Sequence, residues 1–286
     1  MMRRFIFSIA LLAIVELAAE PAAQRKHQNE IIDLWMAGKP AFGVFVPNEA
    51  PRPPQGAARP EPGAPRPKPV YTTAGGQKLA ANPLYDYVFL NLEGAYDGSA
   101  VKAIADGLRS PGSSSRKALI VRVPAFHEDA AAGRNRIREV FASGGDGITF
   151  PHVESLAEAH EILAAVRAEK IDVWSPATPN GEKLVMMMIE DPKALEQATA
   201  FADLKGYSIL ACGIGSLTQA LRGDRAGAEA GTQKILTETK RTKLVNMLTA
   251  TTQDVEQRVK EGFLAILAQG QDADGAITLG RKAAGR

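Results

Sequence analysis

The run Leu184-Val185-Met186-Met187-Met188-Ile189 ends abruptly in two carboxylates, Glu190 and Asp191, followed by Pro192. An apolar run this short, stopped by acids and a proline, reads as a buried parallel strand and not as a helix. Residues 193–204 then carry Leu195, Ala198, Phe201 and Ala202 at helical spacing, and Lys205-Gly206 closes that segment. Glu190 therefore stands at the carboxyl end of a strand and just before a helix. Parallel barrels place catalytic and metal-binding acids there. The same position suits a helix-capping or surface carboxylate, and both readings stay open at this point.

Four other places offer groups that such an acid could work with. Arg122 ends the apolar run Ala118-Leu119-Ile120-Val121 and supplies a permanent cation. Glu93 ends the run Tyr87-Val88-Phe89-Leu90-Asn91-Leu92. His152 follows Pro151, just past Gly147-Ile148-Thr149-Phe150, and imidazole is suited to moving a proton near neutral pH. Gly213-Ile214-Gly215-Ser216 follows an apolar run at 207–211. Its backbone N–H groups could hold a phosphate or carboxylate, although a tight strand–helix turn explains the two glycines equally well. His127, Glu128, Asp129 and Glu154 are further acid–base groups near these strand ends, each with a plain surface-loop reading beside it. Met186-Met187-Met188 reads as core filling. Phosphate loops of the Walker type, HExxH and a nucleophile elbow are all missing from the sequence.

The elements that must position these groups follow from the rest of the chain. Its 286 residues are enough for one large α/β domain. A net charge of +2 gives no case for nucleic acid or an anionic membrane as partner. Arg134, Arg136 and Arg138 cluster but stand among acids, as on a solvated helix face. The single cysteine, Cys212, excludes an internal disulfide and a Cys-rich metal cluster, and reads as a small buried hydrophobe. Arg3-Arg4, the apolar stretch 5–15 and the alanines at 18, 19, 22 and 23 resemble a signal peptide over residues 1–23. Export would make the protein periplasmic or secreted; a cytoplasmic protein with an N-terminal helix is the alternative. The apolar stretch is too short for a stable membrane span. Residues 47–69 are rich in proline, with almost no large apolar side chains, and read as a loop insertion.

Eight short apolar runs are expected as strands, at 41–46, 85–93, 118–124, 147–151, 184–189, 207–211, 244–248 and 263–267. The last two fit a helix as well. Helical segments at 27–37, 99–109, 135–142, 156–169, 193–204 and 254–262 lie around and between them. Eight such strands alternating with helices imply a parallel (β/α)8 barrel, an α/β fold in one domain over residues 28–286, with a doubly wound sheet as the other possibility. In a barrel, Glu93, Arg122, His152, Glu190 and Gly213 to Ser216 converge on one face.

The order and spacing of Gly38-Lys39-Pro40 with Gly43, 85–93, Val121-Arg122-Val123-Pro124, Gly145-Asp146-Gly147-Ile148 with Pro151, Met188-Ile189-Glu190 and Gly213-Ile214-Gly215-Ser216-Leu217 resemble the HpcH/HpaI aldolase and citrate lyase β-subunit superfamily. The resemblance implies a TIM barrel that makes or cleaves a carbon–carbon bond through a pyruvate-type enolate. In that family a Glu and an Asp hold a divalent ion, Mg or Mn, an Arg stabilises the enolate oxygen, and a His oriented by an Asp moves the proton. An enolate concentrates negative charge, and a metal with a guanidinium beside it lowers its energy. Carried over, Glu190 falls on the metal-binding Glu, Arg122 on the enolate-stabilising Arg, and Glu93 on the acid of the Asp-Leu-Glu-His segment.

The sequence then departs from the pattern. Gly94 stands where the family has its His, Asn91 where it has the preceding Asp, and Ser216 where it has the second metal-binding Asp. The His-orienting Asp falls at or near Ala142. One carboxylate and a hydroxyl make a poor site for Mg unless a substrate carboxylate and waters complete it. Two expectations follow. The first is a divergent metal-dependent lyase acting on a 2-keto acid or related acyl compound, with Arg122 and His152 catalytic, Glu190 on the metal and Gly213, Gly215 and Ser216 at the substrate. The second is a non-catalytic barrel that binds a small carboxylate. Assembly into a homo-oligomer is an open expectation for either.

Overall fold

The structure, a computed structural model, describes residues 26–51, 68–112 and 115–286. The signal-like segment at 1–23 and most of the proline-rich insertion, 52–67, lie outside the described residues.

Eight strands form a closed barrel in sequence order, and every neighbouring pair is parallel. They are β1 Ala41–Phe45, β2 Tyr87–Asn91, β3 Ala118–Arg122, β4 Gly147–Phe150, β5 Leu184–Ile189, β6 Ile209–Cys212, β7 Val245–Ala250 and β8 Ala265–Ala268. The helices are α1 Glu30–Met36, α2 Thr73–Ala81, α3 Gly98–Leu108, α4 Ala130–Ala142, α5 Leu156–Ala168, α6 Pro192–Glu196, α7 Ala198–Asp203, α8 Ile214–Ala220, α9 Arg225–Thr242, α10 Val255–Glu261 and α11 Ala273–Ala283. The (β/α)8 barrel expected from the spacing of apolar runs is the observed fold, and the two runs that also fitted helices are β7 and β8. No described helix is long and apolar enough to cross a membrane.

Strand alternation separates two apolar layers. Tyr87, Phe89, Ile120, Met186, Met188 and Met247 fill the barrel interior. Their neighbours Val88, Leu90, Val121, Val185, Met187 and Leu248 pack outward against the helices. A strand covered on both faces needs this continuous apolar run, which is why β5 reads as LVMMMI without polar alternation. The same parity continues past the strands: Arg122 and Glu190 follow the inward residues Ile120 and Met188, so both side chains emerge over the interior at the carboxyl end. α1 closes the opposite end with Ile31, Ile32 and Trp35, and the Trp35 indole donates to Leu264 O at 2.7 Å.

Acidic caps start five of the eleven described α-helices. Asp97, Asp129, Asp191, Asp224 and Asp272 each accept backbone N–H groups in the first turn. The ends of the proline-rich insertion are tied together: Glu49 N donates to Val70 O at 2.9 Å and Thr72 Oγ1 to Glu49 Oε2 at 2.8 Å.

The structure differs from the sequence reading in several helices, among them α9 and α11, which lie where no helical segment was expected. The segment at 193–204 is two helices, α6 and α7, broken at Gln197; Lys234 of α9 takes the freed carbonyls of Leu195 and Glu196. The helix expected from residue 135 starts at Ala130, because Asp129 caps it. α2 was not anticipated, since it contains Gly75-Gly76. Its glycine is a packing device: a Cβ on Gly76 would lie 2.7 Å from Ile104 O, and one on Gly107 of α3 would lie 2.6 Å from Gly76 Cα. Only glycine lets these two helices approach so closely.

Buried charge also ties the barrel together. Asp146, 1% exposed, accepts Leu119 N at 2.9 Å and is paired with Arg116 at 2.7 Å and with Arg109. Its Gly145-Asp146-Gly147 segment is therefore a strand anchor between β3 and β4. Replacing Asp146 by Asn leaves two partly exposed guanidinium groups facing a buried neutral partner. Urea titration is expected to show a loss of about 3 kcal/mol.

Cys212 ends β6 on its outer side, in the helix-facing layer, where Thr232 of α9 donates to Sγ at 3.4 Å. Burial pushes its thiol up from 9.0 to about 11. A thiol whose folded value is raised favours folding fully below the unfolded value, and that contribution is lost as pH rises from about 9 to 11. Stability measured by denaturant titration should fall across that window more steeply in the parent than in Cys212→Ala. A thiol reagent at pH 8 should label the protein only on unfolding.

Candidate active site

Glu190, Arg122, Glu93 and His152 come from the ends of four different strands and meet at one place. Arg122 Nη2 donates to Glu93 Oε1 at 2.8 Å and to Glu190 Oε2 at 3.1 Å. The His152 ring lies between the same two acids, with Nε2 3.1 Å from Glu93 Oε1 and Nδ1 3.4 Å from Glu190 Oε2. The backbone N–H of His152 donates to Glu190 Oε2 at 3.1 Å. Aiming that N–H requires the left-handed backbone seen there, φ 49°, which is uncommon outside glycine and costs on the order of 1 kcal/mol.

Burial differs sharply across the four. The Glu190 side chain is 1% exposed, that of Arg122 13%, and that of His152 40%. The network therefore has a closed, fixed side at Glu190 and an accessible side at His152. Gly213 belongs to the fixed side, since a Cβ there would stand 2.1 Å from Glu190 Oε1. The glycine that opens the Gly213-x-Gly215 segment is thus required by the carboxylate it packs against. Asp191, adjacent in sequence, has a separate job as the cap of α6.

A cavity of about 200 Å³ opens beside this network. Phe45, Phe89 and Met188 form an apolar wall, Arg122 and Glu190 a charged one, and Gly213 to Ser216 a third. The two phenyl rings meet edge to face at 5.6 Å. No side chain caps the start of α8, so its first N–H groups are open at this wall. Arg122 makes all its described side-chain hydrogen bonds through Nη2, and its Nε is buried with no acceptor among the described residues. A guanidinium so placed retains donors for a bound anion.

All the site residues expected from the sequence, Arg122, His152, Glu190, Gly213, Gly215 and Ser216, fall at this carboxyl-end site. The other acid–base candidates fall elsewhere: Asp129 caps α4, Glu154 N donates to Glu158, and His127 pairs with Glu158 Oε1 at 3.2 Å. Thr249 and Gln269 line the cavity and were not singled out. Their signal was present, since they stand at and just past the ends of β7 and β8, but a lone Thr or Gln carries little chemistry by itself.

The fit to a divalent ion is poor. Both Glu190 oxygens already accept from Arg122, one also from His152 N, and the second ligand position holds the Ser216 hydroxyl. Among the described residues no group of three His, Cys, Asp or Glu side chains is arranged to hold an ion. Hard cations need several anionic oxygens, and this donor set offers one that is already paired.

Comparison with known proteins matches the barrel closely. An HpcH/HpaI aldolase of Desulfitobacterium hafniense DCB-2 superposes with a TM-score of 0.62 at 17% identity, covering 85% of this chain and 90% of that one. A family protein of Burkholderia cenocepacia J2315 gives 0.65 at 15% identity over 90% and 98%. The citrate lyase β subunit of M. tuberculosis, complexed with oxaloacetate and magnesium, gives 0.55 at 16% identity over 88% and 99%. These likenesses show a shared fold. No curated protein matches by sequence. The family model for HpcH/HpaI aldolase/citrate lyase matches residues 77–277, a span that runs from α2 to α11 and takes in Glu93, Arg122, His152, Glu190 and Gly213 to Ser216, and the chain belongs to that family.

Proposed function

We propose that this barrel binds a small 2-keto acid, or a related carboxylate, at its carboxyl end and makes or breaks a carbon–carbon bond through the enolate. The observation that carries this reading is Arg122, a partly buried guanidinium held by two carboxylates through one nitrogen, with its other donors uncommitted beside a cavity. Held so, it needs no reorganisation to meet charge developing on an enolate oxygen. The open N–H groups at the start of α8 suit the substrate carboxylate.

His152 is the group we assign to proton transfer. The family's His would sit at position 94, directly after Glu93, and this chain has Gly94 there. His152 reaches the same Glu93 from the end of β4, across the β3 end that carries Arg122, at 3.1 Å. Glu93 then orients the ring, as a carboxylate orients a catalytic imidazole. In the cleavage direction His152 takes the proton from the hydroxyl whose carbon becomes a carbonyl, the carbon–carbon bond breaks, and its electron pair forms the enolate beside Arg122. In the synthetic direction the same steps run in reverse. A divalent ion bound with the substrate would supply further charge for the enolate oxygen; these residues do not make its site alone, and no step here uses it.

A second reading has its own support. Gly94 and Ser216 replace the family's His and Asp, and Glu190 is engaged by Arg122, which suits a barrel that binds a carboxylate without turning it over.

Calorimetric titration with oxalate, a planar mimic of the pyruvate enolate, tests the site. The parent should bind oxalate, and Arg122→Lys should weaken it at least about tenfold, because an ammonium cannot reproduce the guanidinium fork. Absence of oxalate binding in the parent would end both readings.

Gly213→Ala tests the packing beneath the site. Its methyl group displaces the Glu190 carboxylate, so oxalate binding should fall while thermal unfolding shows a loss of about 1–2 kcal/mol. Unchanged affinity would mean that Glu190 does not shape the site.

Restoring the family's groups should restore its metal dependence. Position 94 has open space for a side chain. Ser216→Asp with Gly94→His is expected to make oxalate binding tighten on addition of Mg or Mn, where the parent responds weakly. No gain would argue against the correspondence of these positions with the family's.

A further inference from the structure

A cavity of about 470 Å³ lies at the opposite, amino-terminal end of the barrel. It opens among Trp35 and Met36 of α1, Trp174 before β5, Val245 at the start of β7 and Leu264 before β8. Its volume falls in the range of small-molecule sites and is more than twice that of the carboxyl-end cavity.

The lining sorts by chemistry. Both tryptophans of the chain face it, their rings tilted at 41° with centroids 5.9 Å apart. The polar groups at its floor are already paired. Asn246 accepts from Leu264 N and donates to Thr239 Oγ1, and Trp35 Nε1 donates to Leu264 O. Trp174 is the exception: its indole N–H is buried and has no acceptor among the described residues. At the rim stand two cations. Lys240 Nζ donates to Glu261 O at 2.5 Å, and the Lys243 ammonium has no partner among the described residues. No acidic side chain lines the cavity.

From these features we propose a second binding site, for a small aromatic carboxylate. The indole pair and the aliphatic wall take the ring, and Lys240 and Lys243 take the carboxylate at the mouth. The site lies on the face opposite the proposed chemistry and is independent of that assignment.

Because the chain has only these two tryptophans, emission excited outside the tyrosine absorption band reports on the two rings that line this cavity. The probe is 4-phenylbutyrate, which does not absorb where tryptophan is excited. Titration of the full chain should give a saturable change with a Kd below about 1 mM. Combining Lys240→Gln with Lys243→Asn should weaken it about five- to tenfold; both positions are exposed, and Asn tolerates the left-handed backbone of residue 243, φ 62°. The neutral 4-phenylbutanamide should bind parent and variant alike, and saturating oxalate should not displace the probe. No saturable change, equal affinity of the carboxylate for parent and variant, or displacement by oxalate would each overturn the proposal.

Discussion

A carboxylate held almost wholly out of water at the end of β5 sets the terms for everything around it. Glu190 cannot be solvated, so protein donors must take its oxygens, and a buried charge without partners would cost several kcal/mol. Arg122 supplies a charged donor and His152 a backbone one. Each carries a cost of its own. Arg122 is drawn into a nearly closed position, His152 adopts a left-handed backbone, and residue 213 can be nothing larger than glycine. The geometry of four strand ends is thus locked to one acid.

This lock explains the division of roles in the site. The Glu190–Arg122 side is rigid and buried, which suits charge stabilisation, because dipoles and charges that need not move are worth most where water is excluded. The Glu93–His152 side is partly exposed, which suits exchange of a proton with a substrate that enters from solvent. The opposite end of the barrel is organised differently. There α1 covers the interior with aromatic and aliphatic groups, Lys240 and Lys243 stand at the cavity rim, and the buried Asp146 holds its arginines between β3 and β4.

Much of this arrangement was legible in the sequence. The eight strands announced themselves as short apolar runs because each is covered on both faces, and β5 was read to the residue. The strand-end residues Glu93, Arg122 and Glu190 keep the inward parity of their strands, whereas His152 was legible from its place just past β4 and not from parity. Less visible were the helices whose form depends on partners. α2 hides behind Gly75-Gly76, which only make sense against Gly107 of the neighbouring helix. α9 carries few large apolar residues, so its pattern reads as polar. The pairing of His152 with Glu93 could not be seen, because it depends on a backbone conformation at residue 152 and on contact between the ends of β2 and β4, which β3 separates. Nor could the sequence reveal that Glu190 is already held by Arg122, which is what makes the family's metal a poor fit here.

The central claim is that these four groups form a proton-transferring enolate site and not merely a structural ion-pair network. Exchange of the methyl protons of pyruvate into deuterated water, followed by proton NMR with and without added Mg, measures it most directly. The account predicts exchange well above the uncatalysed rate in the parent, lost in His152→Gln while oxalate binding persists. Exchange equal in the parent and in His152→Gln, or no exchange by a parent that binds oxalate, would contradict it and leave a carboxylate-binding barrel without this chemistry.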